Sequence, residues 1–128
     1  MGRDYVIFER NSVPGSFFEK YPRHRKLISI NKRYTGRKNR EFNLRHDWNS
    51  LLTDDFSILF TNYSKEYFPQ ADCLLKYLKD FSEKFKLKVK FNTKISDIAY
   101  NKNVANERCR FTMKDQMERS ICCRVLCC

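Results

Sequence analysis

The sequence predicts an α/β fold on three observations. Residues 4–9 (DYVIFE) form an apolar, strand-like stretch that ends in an acid and is followed at once by Arg10. After Pro69 a single apolar stripe repeats at helical spacing. From Leu87 onward, short alternating runs separated by polar turns read as strands. The implied order is strand, long excursion, helix, strand and then a β-meander, with no internal repeat.

Each element has a local reason. Residues 5–8 predict a short buried strand, and residues 11–16 (NSVPGS) a loop punctuated by Pro14 and Gly15. Residues 17–21 fit one helical turn that Pro22 stops. Residues 27–30 (LISI) are a second extended stretch. Residues 33–44 are basic, contain Gly36 and read as a long loop. Asp47 is expected to N-cap a helical turn over residues 48–52. Pro69 suits a first helical position. Behind it Ala71, Leu74, Leu75, Leu78, Phe81 and Phe85 make the stripe, with Lys76, Lys79, Asp80 and Glu83 off it. Residues 87–91, 95–100, 108–113 and 120–126 predict strands, with turns at 101–106 and 115–118.

Composition narrows the class. A chain of 128 residues with 11 Phe and 7 Tyr, but only 3 Gly and 3 Pro, has material for one compact core and is neither disordered nor low-complexity. No apolar run is long enough to cross a bilayer, and the first residues lack an apolar signal core. The net charge of +11 concentrates between Arg23 and Arg45. Such a stretch fits a solvated loop, a nucleic-acid patch or a pocket for pyrophosphate. The 6 cysteines contain no C-x-x-C pair. The terminal CCRVLCC is poorly spaced for tetrahedral zinc, and Val125 stands where a CaaX cysteine would be. Residues 114–128 are therefore expected to be an aberrant tail.

The opening strand points to a ligand. In a dinucleotide-binding βαβ unit the second strand ends in a carboxylate that accepts both ribose hydrogen bonds, and Glu9 has that position. Upstream there is no room for a first strand, a Gly-rich turn and the helix that would hold the pyrophosphate. The expectation is a partial Rossmann-like FAD- or NAD(P)-binding domain over residues 1–128, without its first βα unit and carrying a β-meander.

The runs DYVIFERN, FFEKYPRHRKLISINKRYTG, LRHDWNSLL, YFPQADCLLKYLKDF and KVKFNTKISDI resemble the FAD-dependent oxidoreductases related to flavin-containing monooxygenases. The likeness is strongest over residues 4–97 and looser to Leu126, and it is greatest toward endoplasmic-reticulum members. It implies FAD as cofactor, with Glu9 holding the adenosine ribose and Arg10 beside it. It matches Gly15, Ser16, Phe17 and Phe18 to a Gly-Gly-x-Trp element, with the second Gly and the Trp replaced. It sets Asn31 and Lys32 near the flavin, and gives Ile95 a main-chain contact to the adenine. The family's Gly-x-Gly-x-x-Gly turn, Ala-Thr-Gly run and nicotinamide domain are missing, so a fragment is expected, inactive alone. For the full-length relative the resemblance implies the endoplasmic-reticulum lumen, folding and degradation factors as partners, and NADPH as one candidate electron source.

Plainer readings stand beside these. Glu9 also fits an ordinary strand-end acid, and Asn31–Lys32 a turn pair after a strand. Arg45, His46, Asp47 and Trp48 resemble a proton relay, but sequence neighbours point to different sides, which favours a structural role. His24, between Arg23 and Arg25, reads as solvated, and Phe17, Phe18 and Tyr21 as core. The two histidines lack cysteines at metal-ligand spacing. A small basic nucleic-acid-binding module, with Tyr21, Tyr34 and Phe42 for stacking, is the alternative from another class. A partner-binding module that has lost its cofactor is a further one.

Overall fold

The computed structural model describes residues 4–32, 34–102 and 109–127. The architecture is α/β, with one parallel and one antiparallel sheet. In chain order the elements are β1 (Ile7–Phe8), α1 (Phe17–Lys20), α2 (Arg40–His46), a 3-10 turn (Phe60–Asn62) and α3 (Ala71–Lys84). Then follow β2 (Val89–Lys90), β3 (Ile95–Tyr100), β4 (Phe111–Asp115) and β5 (Ser120–Cys123). Two compact units result, one from residues 13–87 and one from residues 1–12 with 88–128.

The unit of residues 13–87 is built on α3. Its buried line is Ala71, Leu74, Tyr77 and Phe81. The expected stripe is thus redirected: Leu75 and Leu78 are half-buried and Phe85 is exposed, while Tyr77, a residue outside the expected set, is fully buried. Burying a phenol is costly unless its hydroxyl is satisfied, and here that oxygen accepts the Leu51 amide at 2.8 Å. Around α3 gather Leu27, Ile58 and Phe60, backed by Phe18, Tyr63, Cys73, Leu78 and Leu87. Tyr77 meets Phe60 and Tyr63 edge-on, with centroids at 5.6 and 5.3 Å.

Three local expectations change in this unit. Residues 33–44 are not all loop, because α2 begins at Arg40. The Asn39 side chain accepts from the Phe42 amide, Glu41 lies in the first turn, and Arg45 and His46 lie in the last. Asp47 is the C-cap of that helix, not the N-cap of another. The helical turn expected over residues 48–52 does not form; the buried Asp47 carboxylate instead ties a turn through the Asn49 amide and the Ser50 hydroxyl. Pro69 precedes α3 without opening it, since Gln70 is the N-cap. The Pro69 carbonyl accepts from Leu27. Residues 27–30, expected to be extended, form no strand and bend at Ile28 and Ser29: apart from one bridge, Lys26 to Gln70, single bonds at Arg25, Leu27 and Asn31 link this stretch to residues 67–71.

In the other unit β1 and β2 pair in parallel, Ile7 with Val89 and Phe8 with Lys90. The strand expected over residues 5–8 is shorter and not buried: Tyr5, Val6 and Ile7 are exposed and Phe8 is half-buried. Among the described residues β1 pairs with β2 alone and so packs little of its surface. The expected meander forms in the order β3-β4-β5, with a register shift between Ser96 and Ala99, but β4 runs on to Asp115 and β5 stops at Cys123, short of the expected end at Leu126. Asp97, in that shift, has φ 52°, in the left-handed region. Residues 103–108 lie outside the described residues, including most of the expected 101–106 turn and the first residue of the expected 108–113 strand. Cys109 and Cys122 form a disulfide, a pairing outside the sequence expectations. The available signal was their position on either side of the 115–118 turn.

Asp115 closes that turn. Its carboxylate accepts from the Met117 and Arg119 amides at 2.9 and 3.0 Å and from the Arg119 guanidinium at 2.7 Å. Burial alone would raise its pKa, but the Arg119 amide and guanidinium and the Met117 amide outweigh it and hold the carboxyl below its ordinary value.

Two predictions follow from the 13–87 unit. Tyr77→Phe keeps the ring but strands the Leu51 amide, so chemical denaturation is expected to show a loss of about 1–3 kcal/mol. Tyr63 donates its hydroxyl to Asp80 at 2.9 Å, and burial followed by that bond pushes its pKa up to about 12. Because the folded value is raised, its contribution is intact below pH ~10 and is lost as pH climbs from there through the folded value. Ultraviolet titration of Tyr63→Phe should show one fewer late-ionising phenol, and stability of the variant should fall less steeply over that window.

Candidate functional site

Glu9, Arg10 and Ile95 belong to one unit; Gly15, Phe18, Asn31 and Lys32 belong to the other. Each group is described in its own unit.

Glu9 immediately follows β1, at the carboxyl ends of the two parallel strands. Its main chain continues the pairing, the amide to the Lys90 carbonyl at 3.0 Å and the carbonyl from the Thr93 amide at 2.9 Å. The half-buried side chain accepts from the Asn11 amide through Oε1 at 2.7 Å, which bends the chain as it leaves the strand. Arg10 beside it is exposed. Ile95 opens β3, opposite Asp115 of β4.

One residue links these positions and was not singled out from the sequence. Gln116, in the β4–β5 turn, donates to the Asn92 carbonyl at 2.9 Å and accepts from the Lys94 amide at 2.9 Å. It therefore clamps residues 92–94, the segment that holds Glu9's partner Thr93 and leads into Ile95. The clamp depends on a fold-back in space, so no local pattern announces it.

In the other unit Gly15 has φ 69°, and a Cβ there would come within 2.4 Å of the Leu78 Cδ1 atom. The left-handed φ is what favours glycine there, independently of any cofactor, since the Leu78 atom in the way is the tip of a side chain that can shift. Phe18 packs against the core, and its carbonyl accepts from Arg25 at 2.5 Å. Phe17 and Tyr21, expected in the core, are 64% and 44% exposed and stack on each other at 5.3 Å. Adjacent helix positions face different sides, so Phe17 points away when Phe18 packs inward, and Tyr21 has already left the helix with extended backbone.

Asn31 is fully buried. Its amide nitrogen donates to the Ser64 carbonyl at 2.7 Å, and its main-chain amide bonds Tyr67. The Oδ1 oxygen has no partner among the described residues. A buried acceptor without a donor is costly, and such atoms commonly mark a ligand or water position. Lys32 sits over the Trp48 ring at 5.4 Å. His46 stacks on Phe42 and bonds its carbonyl through Nδ1, while Asp47 serves its own turn, so the two form no relay. His24 is exposed.

The basic stretch is not a bare cationic face. Arg25, Lys26 and Arg45 pair with Asp72, Glu66 and Glu41. Lys32, Arg37 and Arg40 lie over Trp48, Phe42 and Phe56. Phosphate recognition needs free cations, and this sharing does not favour the nucleic-acid alternative.

Comparison with known proteins gives the same direction. The chain matches the pyridine nucleotide-disulphide oxidoreductase family over residues 1–110 and belongs to that family. Among curated proteins it is 54% identical over 126 residues to the FAD-dependent oxidoreductase domain-containing protein 2 of Mus musculus, covering 98% of this chain and 19% of that protein. It is 52% identical over 124 residues to the protein of the same name from Danio rerio, covering 97% and 18%. The chain thus spans about a fifth of the length of these relatives. No solved structure matches it. The likeness to FAD-dependent oxidoreductases expected from the sequence runs over nearly the whole chain.

If Gln116 is the clamp, Gln116→Ala frees the Lys94 amide. Amide exchange there is expected to speed up about fivefold, the equivalent of about 1 kcal/mol, with the core of the other unit unchanged.

Proposed function

We propose that this chain is part of an FAD-dependent oxidoreductase, contributes to a Rossmann-like FAD site and is inactive by itself. One observation carries the reading: Glu9 is a half-buried acid at the carboxyl ends of parallel strands. Open α/β sheets bind their ligands beyond those ends, and an acid there accepts ribose hydroxyls. The family match and the names of the relatives supply the flavin.

When bound, the flavin carries the hydride or oxygen chemistry; the protein positions it and excludes water. By resemblance, Glu9 holds the ribose with Arg10 beside it, and Ile95 offers its main chain to the adenine. Gly15, Phe18, Asn31 and Lys32 are assigned to the flavin. The unpartnered Asn31 oxygen supports that assignment, since it suits an incoming N–H donor. The Gly-rich phosphate turn does not occur in the sequence. Charge-assisted contacts at a helix terminus are a large part of dinucleotide binding, so the chain alone holds FAD weakly and turns nothing over.

The reading extends to the full-length protein: an endoplasmic-reticulum lumenal enzyme linked to degradation of misfolded proteins, partnered by folding and degradation factors. NADPH, a dithiol or oxygen is its electron partner. The Cys109–Cys122 disulfide supports an oxidising compartment.

The test uses the full-length mouse relative with a Glu→Ala change at the position matching Glu9. Loss of two hydrogen bonds to a charged acceptor is expected to weaken FAD binding about 10- to 100-fold by calorimetry. Unchanged affinity removes Glu9 from the site; a yellow preparation of the 128-residue chain with an intact flavin spectrum overturns its weak FAD binding, and turnover by that preparation overturns its inactivity.

A further inference from the structure

We propose that the cavity lined by Arg40, Asp54, Phe56 and Phe85 binds a free aromatic α-amino acid, a role separate from flavin binding. The cavity holds about 890 Å3, within the range of small-molecule sites, and is broadly open to solvent. Arg40 opens α2, Phe85 is the C-cap of α3, and residues 53–57 supply the rest of the lining. All lie in the unit of residues 13–87, and none of the residues assigned to the flavin lines the cavity.

The loop is held in place without a ligand. The Asp55 amide donates to the Thr53 hydroxyl at 3.0 Å, and the Ser57 amide donates to the Asp55 carboxylate at 2.9 Å. Lys84 of α3 pairs with Asp55 at 2.7 Å and donates to the Ser57 hydroxyl at 2.5 Å. Lys84, with the Ser57 bonds behind it, holds the Asp55 carboxyl well below its ordinary value. Asp55 and Lys84 therefore answer each other, and neither charge is left for a ligand.

Two opposite charges remain on the same cavity. Arg40 lies over the Phe56 ring at 5.5 Å, and Asp54 is exposed. Among the described residues neither makes an ion pair, with the other or with a third group. A molecule that brings its own opposite pair suits them, its carboxylate on the guanidinium and its ammonium on Asp54. An acid alone would meet Asp54 unfavourably, and an amine alone would meet Arg40 so. Half-buried Phe56 and exposed Phe85 add ring surface, and Phe85 is backed by Phe81 at 4.5 Å between centroids. An α-amino acid carries both charges on one carbon, and an aromatic side chain matches the two rings.

The experiment titrates L-phenylalanine into the full chain and follows backbone amide shifts by NMR. Parallel arms use 3-phenylpropionate, which lacks the ammonium, phenethylamine, which lacks the carboxylate, and L-alanine, which lacks the ring. Shifts are expected at Arg40, residues 53–57 and Phe85, with L-phenylalanine about tenfold tighter than either single-charge analogue. L-Alanine should bind at least severalfold more weakly. Arg40→Gln should erase the advantage over phenethylamine, and Asp54→Asn the advantage over 3-phenylpropionate, each with an unchanged circular dichroism spectrum. Absence of shifts at these residues overturns the proposal. So does a wild-type chain that binds any of the three analogues as tightly as L-phenylalanine, or a variant that keeps the discrimination. No readout involves a flavin, so failure here leaves the Glu9 reading standing.

Discussion

In the unit of residues 13–87 the ring of Tyr77 stands between Phe60, Tyr63 and Phe81, while its hydroxyl holds the amide of Leu51. The two ends of one side chain thus join α3 to a segment without regular structure. Through Ser50, whose hydroxyl donates to Asp47 and accepts from the Phe60 amide, the same segment reaches back to the core. Asn49 adds a link to Ser29 at 2.5 Å. Residues 47–60 contain little helix and no strand. They keep their course because the buried side-chain polar atoms along it have defined partners.

What the sequence made legible follows from how local each signal is. The meander was readable because alternation and turn residues lie within a few positions of one another, and β3 matches its expected bounds. Helix α3 was readable from its period, but the choice between Tyr77 and Leu78 was not. That choice depends on Leu51, which is distant in sequence and offers the donor that makes a buried phenol tolerable. Helix α2 was missed although Asn39, Glu41 and Arg45 carry its cap and end charges, because the cationic run around them looked like a loop. Asp47 was placed at the wrong end of a helix for the same reason: a capping residue looks alike from either side until the backbone is known.

The candidate site was legible in a different way. Glu9 rested on a strand-end position, which is local, and the parallel pairing with β2 agrees with it. Gly15 was singled out by likeness to a cofactor loop, but the structure gives it a backbone reason, a φ of 69°. Gln116 and the Cys109–Cys122 bond escaped because both depend on strand register, which fixes neighbours only once the sheet exists.

The connection between β1 and β2 has a consequence for assembly. Residues 13–87 are contiguous, so their contacts close over modest loops, and α3 forms from its own turns. Ile7, in contrast, meets Val89 only after that entire stretch has been spanned. Loop-closure entropy makes such a distant pair slow to form. The parallel strands, and with them the surroundings of Glu9, therefore mature last along the folding route.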